Sequence, residues 1–173
     1  NWVTRSAGAT WVLPTEDEWY KAAYYDPIND VYYDYPNGSD SVPADPTDET
    51  TTREINFGGD PYWQGSQFYT SVGETTGQSP YGVYDMGGNV REWTESFSGG
   101  GGDYRVTRGG YFGSSASDIS YSGTVTLPPW GEDAGEGLRL AYIIPEPSTI
   151  MLLLSGIPFA STACLRSRRV SRS

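Results

Sequence analysis

Histidine is absent from all 173 residues, and cysteine occurs once, as Cys164. Without histidine there is no Ser-His-Asp triad, no imidazole base and none of the commonest metal ligand. One cysteine makes neither an internal disulfide nor a cysteine-based zinc cluster. Any catalysis has to run on carboxylates, tyrosines, lysine or an added cofactor. Bases are scarce as well, 11 against 22 acids, for a formal charge of −11. Residues 1–144 carry 21 acids and 7 bases, whereas 145–173 carry one acid and four arginines. An acidic body repels phosphate backbones, and no basic stripe offsets it, so nucleic-acid binding is excluded in favour of calcium or a neutral polar ligand.

The length suits one domain with appendages. The chain opens at Asn1 with no basic, apolar leader and reads as a fragment or processed product. Thr15 and Glu18 stand at capping-box spacing in "LPTEDEWYKAAYY", which predicts a helix from about Glu16 to about Tyr25. Trp19, Ala22 and Ala23 share its inner face, Glu16, Asp17 and Lys21 stay wet, and Asp26-Pro27 ends it. From Asp26 to Glu54 the Asp, Pro, Thr, Ser and Tyr residues show no sustained period and read as a long surface loop. Short strand pieces are expected in "INFGGDPYWQGSQFYTSVG" and a strand in "YRVTRGGYF". With one clear helix and many short segments among 22 glycines, the body is α+β and loop-rich, stitched by 6 tryptophans and 14 tyrosines. The glycines of "RGG" and "SGGGG" lack the Lys-Ser/Thr and the strand-to-helix setting of a phosphate loop.

The decapeptide "YDMGGNVREW", Tyr84 to Trp93, has two readings. Asp85 and Glu92 are hard oxygen donors around a glycine bend whose carbonyls could face a cation, which is calcium chemistry. The other reading is a tight turn with two solvated acids and Trp93 as a core anchor. Arg108 and Arg139 read as structural, tying loops together through carboxylates or carbonyls.

The tail is of another kind. Pro145, Glu146 and Pro147 lead into an apolar run from Ile150 to Leu165, then Arg166, Arg168, Arg169 and Arg172. Its sixteen residues would make about 24 Å of helix, short of the roughly 20 residues usual for a span, and the arginines after it belong on the cytoplasmic side. The readings are a sorting tail, with the body facing out of the cytoplasm, or a buried C-terminal helix with a frayed basic end.

In order, "LPTEDEW", "SPYGVYDMGGNVREWTES", "RVTRGGYF" and "GEGLRLA" resemble the sulfatase-modifying factor family, whose founding members are formylglycine-generating enzymes. The resemblance runs from Val12 to Tyr142, without the family's N-terminal part. It implies a partial domain of a loop-rich fold related to C-type lectins over residues 1–144. The tail, 145–173, resembles the PEP-CTERM sorting signal of Gram-negative bacteria, which implies an exosortase-type partner, a transient inner-membrane anchor by an apolar helix, and a final place at the cell surface or in the extracellular matrix.

In the family a cysteine pair after "RGG" holds copper(I), and soft thiolates suit that ion. The resemblance puts those cysteines at about Ser114 and Ile119 and the family's serine at Tyr111. None of these supplies a thiolate, so no copper is expected. It also implies structural calcium on the side chains of Asp85 and Glu92 and the carbonyls of Gly88 and Val90, with half of a second site at Asn56 and Phe57. The expectation is an exported, calcium-stabilised binding module for glycan or peptide. The rival is a formylglycine-generating oxidase.

Overall fold

The computed structural model describes residues 5–44, 53–59, 69–99, 103–131 and 133–144. The sorting tail and the expected C-terminal apolar helix lie outside the described residues. Among the described residues no helix is long and apolar enough to cross a membrane.

The capping box works as read. Helix α1 covers Glu16–Tyr24, the Thr15 hydroxyl accepts from the Glu18 N–H at 3.2 Å, and the Glu18 carboxylate accepts from the Thr15 N–H at 2.8 Å. These two bonds satisfy donors that a helix start otherwise leaves open. Glu18 also takes the guanidinium of Arg5, which reaches across to Glu95 and the Leu13 carbonyl. Trp19 and Ala23 are buried as expected, and so is Tyr24, which forms the floor of the core beside Met86. Two expectations need correction. Ala22 is only partly buried, and Glu16 is not simply wet, because Arg108 holds its carboxylate.

The helix ends one residue early because the chain turns at once into a hairpin. Strands β2 (Tyr25–Asp26) and β3 (Val31–Tyr32) pair antiparallel, Tyr25 opposite Tyr32. Asp26 is therefore a strand residue and the organiser of the turn. It accepts from the Ile28 N–H at 2.8 Å, the Asn29 N–H at 3.2 Å and the Asn29 amide at 2.7 Å. This is the local competition by which Asp shapes turns, and the Asn29 amide and then the Ile28 N–H hold the Asp26 carboxyl below its usual range. So the segment expected to be a plain loop from Asp26 onward begins as an ordered hairpin; residues 45–52 lie outside the description.

The main sheet has four strands in the order β6 (Val125–Leu127), β5 (Arg105–Arg108), β4 (Arg91–Phe97) and β7 (Glu136–Leu138). β4 pairs antiparallel with β5 and parallel with β7, and β5 pairs antiparallel with β6. The strand expected in "YRVTRGGYF" is β5. A separate pair, β1 (Trp11–Val12) with β8 (Ala141–Tyr142), brings the two ends of the body together. The short helix α2 (Ala116–Ile119) delivers Ile119 to a second apolar cluster with Ile55 and Phe57.

β4 corrects another expectation. Period-2 alternation buries Glu92 and Thr94 and leaves Trp93 half-buried on the opposite side. The anchor under this strand is Trp19, not Trp93. Thr94 and its neighbour Thr107 are tolerated inside because their hydroxyls donate to the carbonyls of Val106 (2.9 Å) and Val125 (3.2 Å).

Arg5, by its hydrogen bonds first, holds the Glu18 carboxyl below the usual carboxylate range. A lowered folded value contributes stability above the unfolded pKa and loses it as pH falls through the folded one. Denaturant melts at about pH 5 and about pH 3 should therefore lose less stability in Glu18→Gln than in the wild type. Equal losses in the two proteins would remove Glu18 from the acid response.

Candidate functional site

The stretch from Tyr84 to Trp93 is not a free acidic loop but a junction. Gly88 has φ +68, its N–H donates to the Gly109 carbonyl at 2.7 Å, and it bridges to Asn56. A Cβ on Gly88 would stand 2.1 Å from the Asn56 carbonyl oxygen, so backbone meets backbone here and only glycine fits. Asp85 and Asn89 also adopt positive φ, 57° and 62°, which short polar side chains tolerate.

The two acids then part. The Asp85 carboxylate accepts from the Thr75 hydroxyl and the Gly73 N–H, each at 2.7 Å, and so fastens the 71–75 turn. Glu92, on β4, points inward. It accepts from the Trp19 indole at 2.7 Å and from Arg139 at 2.9 Å and 2.8 Å in a two-pronged pair. Arg139 also donates to the carbonyls of Tyr84 (3.1 Å) and Asp85 (2.9 Å), so one guanidinium closes the whole stretch onto the end of β7.

That arrangement is the test of a calcium site. Oxygen donors suit calcium chemically, but Asp85 and Glu92 face different partners, and the Arg139 charge already neutralises Glu92. While Arg139 stands there, the residues do not make a calcium cage. Nor do three or more acidic or cysteine side chains group as metal ligands among the described residues. At the second expected position the Asn56 side-chain oxygen accepts from Arg53 at 2.6 Å, its carbonyl accepts from the Asn89 N–H at 2.8 Å, and Phe57 is buried in the apolar cluster with Ile119.

The positions matched to the oxidase cysteines are filled. Ser114 is buried, accepting from the Tyr111 N–H at 3.0 Å while its own N–H donates to the Tyr111 carbonyl. Ile119 is wholly buried against Ile55 and Phe57. Tyr111 lies under the guanidinium of Arg91, 4.6 Å from the ring centroid, and Arg91 pairs with Glu136 at 2.8 Å and 3.0 Å. Hydrocarbon, hydroxyl and an ion pair occupy this region, and none is a copper(I) donor.

Arg108 behaves as expected of a structural arginine. It holds Glu16 on α1 and the carbonyls of Tyr121 (2.9 Å) and Gly123 (2.7 Å), with its guanidinium 5.4 Å from the Tyr20 ring centroid. Sequence reasoning missed Trp19 as a donor to Glu92, and it missed the Arg91–Glu136 pair. The available signal was scarcity: with 7 bases among 21 acids, each base was a candidate cross-link.

Residues 1–143 match the family model described as a sulfatase-modifying factor enzyme 1-like domain. Among solved structures the chain is similar to Treponema denticola variable protein 1, at 26% identity, covering 76% of this chain and 47% of that one with a TM-score of 0.52. It is also similar to CarF, at 23% identity over 82% and 50% with a TM-score of 0.53. PvdO from Pseudomonas aeruginosa matches at 21% identity over 78% and 53%, with a TM-score of 0.52. The chain spans about half the length of these structures, and the likeness is one of fold. No curated protein matches it.

The Glu92–Arg139 pair carries its own prediction. Arg139→Leu strands a buried carboxylate and should cost roughly 2–3 kcal/mol, below the usual penalty for breaking a buried pair because Arg139 is partly wet. Adding Glu92→Gln, which keeps an acceptor for Trp19, should restore part of that loss in a double-mutant cycle. A double variant no more stable than Arg139→Leu would show that the pairing is not what Arg139 contributes.

Proposed function

Since this chain belongs to the sulfatase-modifying factor family, we propose that it is a non-catalytic, exported binding module built on that family's scaffold. One observation supports this above the others: Ser114 and Ile119 stand where the resemblance places the copper-binding cysteines, and Ile119 is packed into the core. Neither side chain can form a thiolate, and opening the Ile119 site would break an apolar cluster. The ligand in this reading is a glycan or a peptide. A function is argued from a site and not from a fold, so the case rests on the filled positions and the acidic, aromatic surface.

Export rests on the tail alone: Pro145-Glu146-Pro147, the apolar run and Arg166, Arg168 and Arg169 are the groups an exosortase-type enzyme would process. The body would then reach the cell surface or the extracellular matrix of a Gram-negative bacterium.

The rival oxidase reading is met directly. Full-length protein incubated with copper(I), oxygen and a peptide carrying a sulfatase motif should leave the peptide mass unchanged. A mass corresponding to formylglycine, above a metal-only control, overturns the non-catalytic assignment.

Calcium enters this reading only in competition with Arg139. The wild type should melt at nearly the same temperature in chelator and in excess calcium. In Arg139→Gln the Glu92 carboxylate is released and calcium should become stabilising, since an ion bound only by the native state raises its stability. Strong calcium stabilisation of the wild type would instead make calcium the partner of Asp85, Glu92 and the carbonyls of Gly88 and Val90.

A further inference from the structure

An unused feature runs from α1 onto the β2–β3 hairpin. Four tyrosines form a continuous staircase: Tyr20 to Tyr32 at 5.5 Å between ring centroids, Tyr32 to Tyr25 at 4.9 Å, and Tyr25 to Tyr81 at 6.3 Å. Successive planes are tilted by 39°, 42° and 41°. The β2–β3 register puts Tyr25 directly opposite Tyr32, which places both rings on one face of the hairpin. Tyr32 is 52% exposed and Tyr81 is 45% exposed, so the staircase opens to solvent at these two rings, while Tyr20 and Tyr25 are half-buried.

The staircase is also rigid at its foot. Tyr20 packs 5.0 Å from Tyr24, which is fully buried and donates its hydroxyl to the carbonyls of Ser120 (3.0 Å) and Ile119 (3.2 Å). At the hairpin, Tyr25 donates its hydroxyl to Asp30 at 2.8 Å, and the Lys21 ammonium sits 5.0 Å from the Tyr25 ring centroid. Side chains held in place before binding lose less freedom when a ligand arrives.

We infer that this tyrosine staircase is a binding surface for a neutral glycan chain, whose pyranose rings lie on the exposed Tyr32 and Tyr81, with Tyr25 holding the two rings in place between them. The inference rests on the binding-module reading above and names its site and ligand class. The chemistry selects the occupant. Each tyrosine offers an apolar face and a hydroxyl rim, so a purely apolar partner would strip water from phenol oxygens without replacing its hydrogen bonds. A sugar matches both parts, its C–H faces lying on the rings and its hydroxyls meeting the phenols and the Asp30 carboxylate. Charge selects further. Asp26, Asp30 and Asp34 share this hairpin region, and Lys21 is drawn onto a ring, so anionic polysaccharides are repelled. Tyrosine is suited to this work because it presents a large rigid area for only two rotatable bonds.

The test uses full-length protein, isothermal titration calorimetry and three probes: the neutral oligosaccharide cellohexaose, the polyanion polygalacturonate and a lysine-rich peptide. Cellohexaose should bind and polygalacturonate should not. Tyr32→Ala and Tyr81→Ala should each weaken cellohexaose binding about three- to tenfold, the scale of one aromatic contact. Trp130→Ala, at an exposed aromatic elsewhere (71% exposed), should leave it unchanged. Both tyrosines are half-exposed, and an unchanged melting temperature verifies that the variants fold. Cellohexaose binding that survives both tyrosine substitutions overturns the site but keeps the binding module. Binding of the lysine-rich peptide alone overturns the ligand class. Failure of folded wild type to bind any of the three overturns this inference, and a glycan array and peptide library without hits would then remove the binding module as well.

Discussion

The carboxylate of Glu92 is the point on which the body turns. It sits inside, on a strand whose buried face is polar, and a buried charge is tolerated only when it is paired and hydrogen-bonded. Arg139 supplies the pair and Trp19 a third hydrogen bond. Those three residues come from α1, β4 and the segment after β7, so the charge can be satisfied only once helix, sheet and C-terminal strand are in register. The same guanidinium then holds the carbonyls of Tyr84 and Asp85. A net of polar bonds, more than a large apolar core, thus determines how the irregular segments meet.

This explains which parts were legible in the sequence. Helix α1 was, because a capping box acts over three residues and shows in the sequence. Strand β5 was, because "YRVTRGGYF" holds aromatic and β-branched residues and follows a glycine run. The family was legible from four ordered motifs. The partner of Glu92 was not, since Arg139 lies 47 residues away and nothing local distinguishes a solvated acid from a buried one. The same blindness cast Trp93 as the core anchor: which face of β4 turns inward depends on Trp19 and Arg139, both distant in sequence. The β2–β3 hairpin was hidden by its own turn chemistry, because an Asp-Pro pair that stops a helix looks the same whether a loop or a strand follows.

At the candidate site the legible and illegible parts trade places. That Ser114 and Ile119 cannot hold copper(I) follows from residue type alone. What fills the space does not: the burial of Ile119 against Ile55 and Phe57, and the stacking of Arg91 on Tyr111, are tertiary facts. They matter because a vacant pocket and a packed one have different futures. A vacant pocket could take a cofactor from outside, whereas admitting one here would require unpacking an apolar cluster and opening the Arg91–Glu136 pair.

The scarcity of bases connects this interior to the surface. Arg5, Arg91, Arg108 and Arg139 are each bound to a carboxylate, Lys21 and Arg105 each stand over an aromatic ring, and Arg53 meets Asn56. Cations used as internal cross-links are not available to draw anions, so the outer field of the body is set by the acids left over. Recognition on such a surface has to come from groups that carry no charge, and tyrosines, with an apolar face and a hydroxyl rim, are the abundant residues that meet that condition. The arginine network that holds the fold together therefore also restricts the chemistry of whatever the fold can bind.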